Sequence, residues 1–206
     1  MKLKIVANIL ISLGLLILVL TFWQPVFQEI KYQVSQWQGV KYEVGGKDAK
    51  MQRFKDAKMV EIVPVDTNFG IVIPKINANV KIFANIDPFN PQEFLPILKK
   101  GVAHAKGTGF PGEGKNIYLF AHSTDAFFNF DQYNAVFYLI GKLEKNDEID
   151  IYNQGELYKY GVLEKMVVSP AAVEYLKPEK EEILTLQTCY PPGTTLKRLI
   201  VRARRI

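Results

Sequence analysis

Between Ile5 and Trp23 the chain runs IVANILISLGLLILVLTFW, nineteen residues without a formal charge. A helix of that length rises about 28 Å, close to the hydrocarbon thickness of a bilayer. Lys2 and Lys4 precede it, so the positive-inside bias predicts a cytoplasmic N-terminus and an extracytoplasmic remainder. The following residues, Gln24, Pro25, Val26 and Phe27, include bulky side chains and form no small-x-small cleavage site. The run is therefore read as an uncleaved signal-anchor rather than a signal peptide. No second segment is comparably long and apolar, which predicts a single-pass membrane protein.

Past the anchor the apolar period is helical. Phe27, Ile30, Val34 and Trp37 recur at three- and four-residue steps, so the helix is expected to continue until Gly45-Gly46 breaks it. A second, weakly periodic helical stretch is expected over Lys47–Met59. From Glu61 the pattern changes to short strand-like runs: FGIVIPKI (69–76), NVKIFAN (79–85), NIYLFAH (116–122), DEIDIYN (147–153), LYKYGVLEKMVV (157–168), EILTLQT (182–188) and KRLIVRA (197–203). Turn clusters at 108–112 and 191–193 separate some of them. Helices are expected around Pro91–Lys100 and Asp131–Leu143, the first opened by a turn at Asp87-Pro88-Phe89. Many short strands with few helices argue for a mostly β barrel or sandwich with small helical insertions. The chain thus divides into an anchor (1–23), a basic, partly helical stem (24–58) and an extracytoplasmic β-domain (59–206).

Composition narrows the chemistry. Hydrophobic residues make up 48% and charged residues 23% of 206 residues, as in a chain with a packed core. One cysteine and two histidines exclude an intrachain disulfide and a four-ligand Cys/His metal site. No G-x-G-x-x-G or Walker loop follows any strand, so nucleotide binding has no support. Residues 1–58 carry nine Lys/Arg against four Asp/Glu, whereas 59–206 carry seventeen of each. The net charge of +5 therefore belongs to the anchor and stem, and no nucleic-acid partner is expected. A basic stem beside a membrane gains roughly 1 kcal/mol per close charge from anionic lipid; a solvated linker is the equal alternative.

Cys189 ends the apolar strand Ile183–Thr188, immediately before a Pro-Pro-Gly turn. Lone cysteines are more often buried small hydrophobes than nucleophiles. Its place at a strand end facing a loop, and the oxidation hazard of an idle extracytoplasmic thiol, argue for function. A thiol nucleophile needs a base. His122 ends the strand NIYLFAH, but His104 in GVAHAKGTGFPGEG fits the bare pattern equally well. Acyl transfer also needs a donor to the developing oxyanion. If strands 182–188 and 197–203 pair antiparallel, the loop between them folds Arg198 back beside Cys189. Glu174, Glu179, Glu181 and Glu182 are candidate calcium ligands, but a charge run before a strand is more readily a solvated loop.

Thr185-Leu186-Gln187-Thr188-Cys189, followed by Arg198 in LKRLIVRA, resembles the TLxTC…R signature of sortases. GVAHAKGTGFPGEGKNIYLFAHS is similar to the segment that approaches the sortase catalytic histidine, and FGIVIPKINANVKI to the first barrel strands. The resemblance runs from about Phe69 to Ala203, with Ala121 where a glycine is more usual. It implies an eight-stranded β-barrel and a cysteine transpeptidase, with Cys189 as nucleophile, His122 rather than His104 as acid-base, Arg198 at the oxyanion and Thr188 auxiliary beside the thiol. The implied donors are secreted proteins with an LPxTG-like C-terminal sorting signal, and the implied acceptor is an amine of a cell-wall precursor or a protein lysine. Without an N-terminal lid or a C-terminal membrane helix, anchoring of single proteins in the manner of class D or E enzymes is expected over pilus polymerisation. No cofactor or metal is expected. A thiol peptidase that passes the acyl group to water, and a non-catalytic peptide- or wall-binding domain, are the competing readings.

Overall fold

The computed structural model describes residues 2–45, 59–123 and 136–206. Helix α1 runs from Lys2 to Trp37. It stops short of Gly45-Gly46, the expected break. Gly39, at φ +62°, donates to Gln36 O, and Val40 donates 3.0 Å to Ser35 O, the paired closing bonds of a left-handed glycine cap. The expected anchor falls partly on side chains outside the described ones (18 and 20–23), and among the described residues no helix is long and apolar enough to cross a membrane. The helical stretch expected over 47–59 also lies, up to residue 58, outside the described residues.

Beyond the cap, β1 (Lys41–Val44) pairs in parallel with β2 (Met59–Ile62), a strand pair that the sequence pattern did not anticipate. Tyr42 and Val44 pack on Ile62, Val72 and Tyr152, so this small sheet covers part of the barrel's outer surface. The helical stem also reaches the barrel. Glu29 and Lys142 form a 2.8 Å ion pair, and Tyr32 packs against the core beneath the Lys142 ammonium.

Eight strands close the barrel: β3 (Phe69–Ile73), β4 (Ala78–Ile86), β5 (Val102–Ala105), β6 (Asn116–Phe120), β7 (Glu148–Asn153), β8 (Glu156–Val168), β9 (Ile183–Tyr190) and β10 (Lys197–Arg205). Their order around it is β10-β8-β7-β3-β4-β5-β6-β9. The seven expected strand runs are all present. The eighth strand, VAHA at 102–105, is not among the expected runs. It is short, and all four of its residues are buried, so it lacks the alternation that marks a half-exposed strand. Helix α2 (Pro91–Leu98) forms as expected, capped by the Asn90 side chain, which accepts from Gln92 N–H at 3.2 Å. The helix expected over 131–143 does not form in its described part, where 136–143 make turns and one short 3-10 segment at Ile140–Lys142. Residues 131–135 lie outside the described residues.

Alternate residues of each strand face opposite sides. Ile71, Ile117, Leu119, Ile149, Leu184, Leu186, Leu199 and Val201 point inward and form the main core. On the outer face, Ala103, Ala105, Tyr118 and Phe120 form a second cluster with Leu98 of α2. The inner side of the barrel therefore packs on itself, while α2 roofs part of the outer side.

Asp150 of β7 departs from this economy. It is fully buried, and among the described residues neither carboxylate oxygen has a hydrogen-bond partner. The nearest cation, Lys159 Nζ, stands 3.8 Å away and bonds Glu148 instead. Burial, reinforced by the Glu148 charge and opposed by Lys159, pushes the Asp150 carboxyl up to about 7. The folded chain thus keeps a proton that the unfolded chain has lost between about pH 4 and pH 7. This group's contribution to stability is full below that window and falls as pH rises through it. Asp150→Asn is expected to remove this decline and to stabilise the protein most at pH 8, as read from unfolding midpoints of the two proteins at pH 5 and pH 8.

Candidate active site

Parallel pairing of β6 with β9 aligns Asn116 with Ile183 and Phe120 with Gln187. Continued by two residues, that register sets His122 opposite Cys189. Two bonds past the ladder hold it there: Ala121 N–H donates 3.2 Å to Gln187 O, and the buried Thr188 hydroxyl donates 2.9 Å to Ala121 O. Antiparallel pairing of β9 with β10 places Arg198 directly across from Cys189, as the spacing of the two strands predicted. His122, Cys189 and Arg198 therefore occupy one level of three adjacent strands. Each lies an even number of residues from the outward positions of its strand, so all three face outward. Each is half-buried.

They share a groove of about 420 Å³. Phe94, Leu95 and Leu98 of α2 form one wall, Thr194 and Thr195 of the β9–β10 loop form another, and Gln187 and Phe120 lie in its lining. The Cys189 thiol is in no disulfide and lines this groove. Arg198 is oriented by the loop, because its Nη1 donates to Thr195 O at 3.2 Å and to Lys197 O at 3.1 Å. Among the described residues its remaining donors have no hydrogen-bond partner. The backbone carbonyl of His122 accepts from Phe137 N–H at 3.3 Å.

His104 lies on the other side of the sheet. It pairs with inward-facing Leu119 and is fully buried. Asn85 N–H donates to Nδ1 at 3.2 Å, which makes Nε2 the protonated nitrogen, 2.9 Å from Gly109 O. The ring packs 4.5 Å from Phe110. Burial holds its pKa below the usual histidine value, against the pull of the Gly109 bond and Glu113. It is a satisfied interior histidine on the face away from Cys189.

Among the described residues no cluster of three or more potential ligands gathers for a metal. Two of the four acidic residues considered for calcium have other engagements. Glu182 accepts from Gly112 N, Gly114 N and Tyr160 Oη, and Glu179 pairs with Arg202 at 2.7 Å.

Residues 71–206 match the sortase domain family. The chain belongs to the sortase family. It is similar to sortase D of Bacillus subtilis (strain 168), 31% identical over 139 residues that cover 65% of this chain and 61% of the relative. Among solved structures it resembles sortase C1 of GBS pilus island 1 (28% identity, 67% of this chain and 63% of that one, TM-score 0.57). It also resembles a Clostridium perfringens sortase D5 transpeptidase (29% identity, 71% and 82%, TM-score 0.55). The chain thus spans somewhat under two thirds of the length of the first two.

This sortase barrel includes site residues that sequence reasoning missed. Tyr118 and Gln187 meet beneath the groove through a 2.6 Å hydrogen bond, and α2 supplies a groove wall. Outward alternation from Cys189 back to Gln187 was the signal available for the latter. The face assignment of the two histidines has a direct consequence. His104→Ala removes a buried ring and orphans Asn85 N–H, and is expected to lower stability by about 2–4 kcal/mol. In the folded fraction, iodoacetamide should alkylate Cys189 at the unaltered rate; denaturant unfolding and intact mass measure the two effects.

Proposed function

We propose that the chain is a membrane-anchored cysteine transpeptidase that cleaves an LPxTG-like sorting signal of secreted proteins and transfers the acyl group to an amine at the cell surface. The observation that carries the reading is the alignment of His122, Cys189 and Arg198 at one outward-facing level of three neighbouring strands, beside a groove able to hold an extended peptide. Class D-like anchoring of single proteins is the subtype we favour, supported by the likeness to sortase D of Bacillus subtilis.

In this mechanism the Cys189 thiolate attacks the signal's scissile carbonyl and forms a tetrahedral adduct. Arg198 donates to the developing oxyanion through the N–H groups not engaged by the loop carbonyls. His122 protonates the departing amine as the C–N bond breaks, leaving a thioester on Cys189. An incoming amine, from a cell-wall precursor or a protein lysine, attacks the thioester and gives its proton to His122, which expels the Cys189 thiolate and forms the new amide. Thr188 acts from below, tying the strand of the nucleophile to the segment of the histidine.

Anchoring is supported by the charge-free run Ile5–Trp23 and by the exposure of Ile9, Leu10, Ile11, Leu15 and Ile17 around α1. A helix apolar on every side, without protein to cover it, suits lipid. The positive flank supports a catalytic domain outside the cell, with the basic stem close to lipid headgroups.

The test uses the full chain in detergent micelles, because the stem contributes β1 and the Glu29–Lys142 pair to the domain. Intact mass is recorded with a panel of sorting-signal peptides, with and without candidate amines. A thioacyl adduct on Cys189 that an amine converts to ligated peptide is expected. Adduct that only hydrolyses favours a thiol peptidase, and no adduct with a sluggish thiol leaves a binding domain. Arg198→Lys is expected to slow adduct formation by about 100-fold, since a point charge does not replace the planar donor array. His122→Ala should abolish turnover while leaving the unfolding midpoint near that of the wild type.

A further inference from the structure

The seam between β6 and β9 carries polar pairs along its outer face. Thr185 donates 2.9 Å to the Asn116 carboxamide oxygen, and the Tyr118 hydroxyl donates 2.6 Å to Gln187 Oε1. Cys189 and the segment bearing His122 follow one step above. The lower pair is fully buried, but the upper is not. Tyr118 is only 2% exposed, whereas Gln187 reaches the groove that holds the thiol.

This arrangement decides which end of the Gln187 amide faces the groove. A buried phenol needs an acceptor for its proton. Burial raises the Tyr118 pKa far enough to keep that proton in place, even with Arg198 nearby. The Gln187 carbonyl oxygen is therefore held inward by Tyr118, and the side chain offers its N–H2 to the groove. Among the described residues that nitrogen donates to no protein acceptor. Phe94, Leu95 and Leu98 make one wall apolar, and a less polar surrounding strengthens any bond the amide makes. Gln187 lies two residues before Cys189 on the same face, about 7 Å away along the strand.

We infer that Gln187 is a substrate-recognition residue of this sortase. Its amide N–H2 donates to a carbonyl oxygen of the acyl-donor peptide about two residues from the carbonyl that Cys189 attacks, and Tyr118 is the positioning residue that holds the amide in this sense. The inference rests on the transpeptidase reading and deepens it. An extended donor advances about 3.4 Å per residue, so a carbonyl two positions from the reacting one reaches the level of Gln187. Selection then acts on donors whose main chain can lie flat on the groove floor at that position.

The experiment compares the full-length wild type with Gln187→Leu, Gln187→Glu and Tyr118→Phe, measuring peptide kcat/KM, amine KM and the alkylation rate of Cys189. Gln187→Leu keeps the volume and removes both donors. It is expected to lower peptide kcat/KM about tenfold, the effect of leaving one carbonyl unpaired beside an apolar wall, and to do so through KM. Gln187→Glu, which sets an acceptor against an acceptor, should lose at least as much. Tyr118→Phe, which frees the amide without removing it, should lose less. Amine KM and thiol alkylation should not move in any of the three. A Gln187→Leu enzyme within about twofold of wild type on the peptide overturns the role. Parallel losses in alkylation and amine use overturn it in favour of a structural part for the pair. A wild type that forms no thioacyl adduct at all instead overturns the transpeptidase reading, and the recognition role with it.

Discussion

β9 lies between a parallel neighbour, β6, and an antiparallel one, β10, and the two ladders set everything at the groove. The first aligns Phe120 with Gln187, and the second aligns Arg198 with Cys189. A slip of one residue in either would turn one member of the constellation into the barrel, because side chains alternate with period two. Packing on both faces resists such a slip. Leu184 and Leu186 are locked inside with Ile117 and Leu119. On the outer face the Thr185–Asn116 and Tyr118–Gln187 bonds fit only this register. The site is exact because the strands beneath it have no alternative pairing that keeps both the core and the polar seam satisfied.

The same alternation separates the two histidines more decisively than any local motif. Both lie on short strands or their ends, and both adjoin glycine-containing or small-residue segments. His104 stands on an inward position and has both ring nitrogens engaged by Asn85 and Gly109. His122 stands on an outward position, beyond the last rung of β6, in the groove that α2 walls. A buried imidazole with two backbone partners braces the loop after β5. An imidazole at the rim of a groove, level with a thiol, has the position that the proposed acid-base role requires.

Much of this was legible in the sequence, for reasons that can be stated. β9 and β10 announce themselves by apolar runs flanking a Pro-Pro-Gly turn, and their short connection makes antiparallel pairing the natural expectation. That alone brings Arg198 to Cys189. The parallel contact of β6 with β9 was a different matter. Its partners are far apart along the chain, and no local pattern encodes which strands meet; only the family resemblance singled out His122. β5 escaped notice because VAHA is covered on both faces and shows no alternation. β1 and β2 escaped because four-residue strands carry too little pattern to separate from linker. Tyr118 and Gln187 read as ordinary strand residues until the register placed them together.

The stem is the part whose character changes most. Its composition reads equally as a lipid-facing basic segment or a solvated tether, yet its helix ends in a glycine cap that turns the chain back to form β1. Glu29 and Tyr32 meanwhile hold Lys142. Lys142 belongs to the turn that begins at Phe137, whose buried ring enters the core and whose N–H bonds the carbonyl of His122. A continuous set of contacts thus leads from the helical stem to the backbone of the histidine. If the proposed anchor ends near Trp23, Glu29 follows after six residues, about 9 Å of helix. On the anchored reading the barrel is therefore gripped within two turns of the bilayer surface. Under the proposed function, such a short, bonded connection would restrict the directions in which the groove can face, and would make presentation of the acyl donor and the amine a matter of the stem as well as of the pocket.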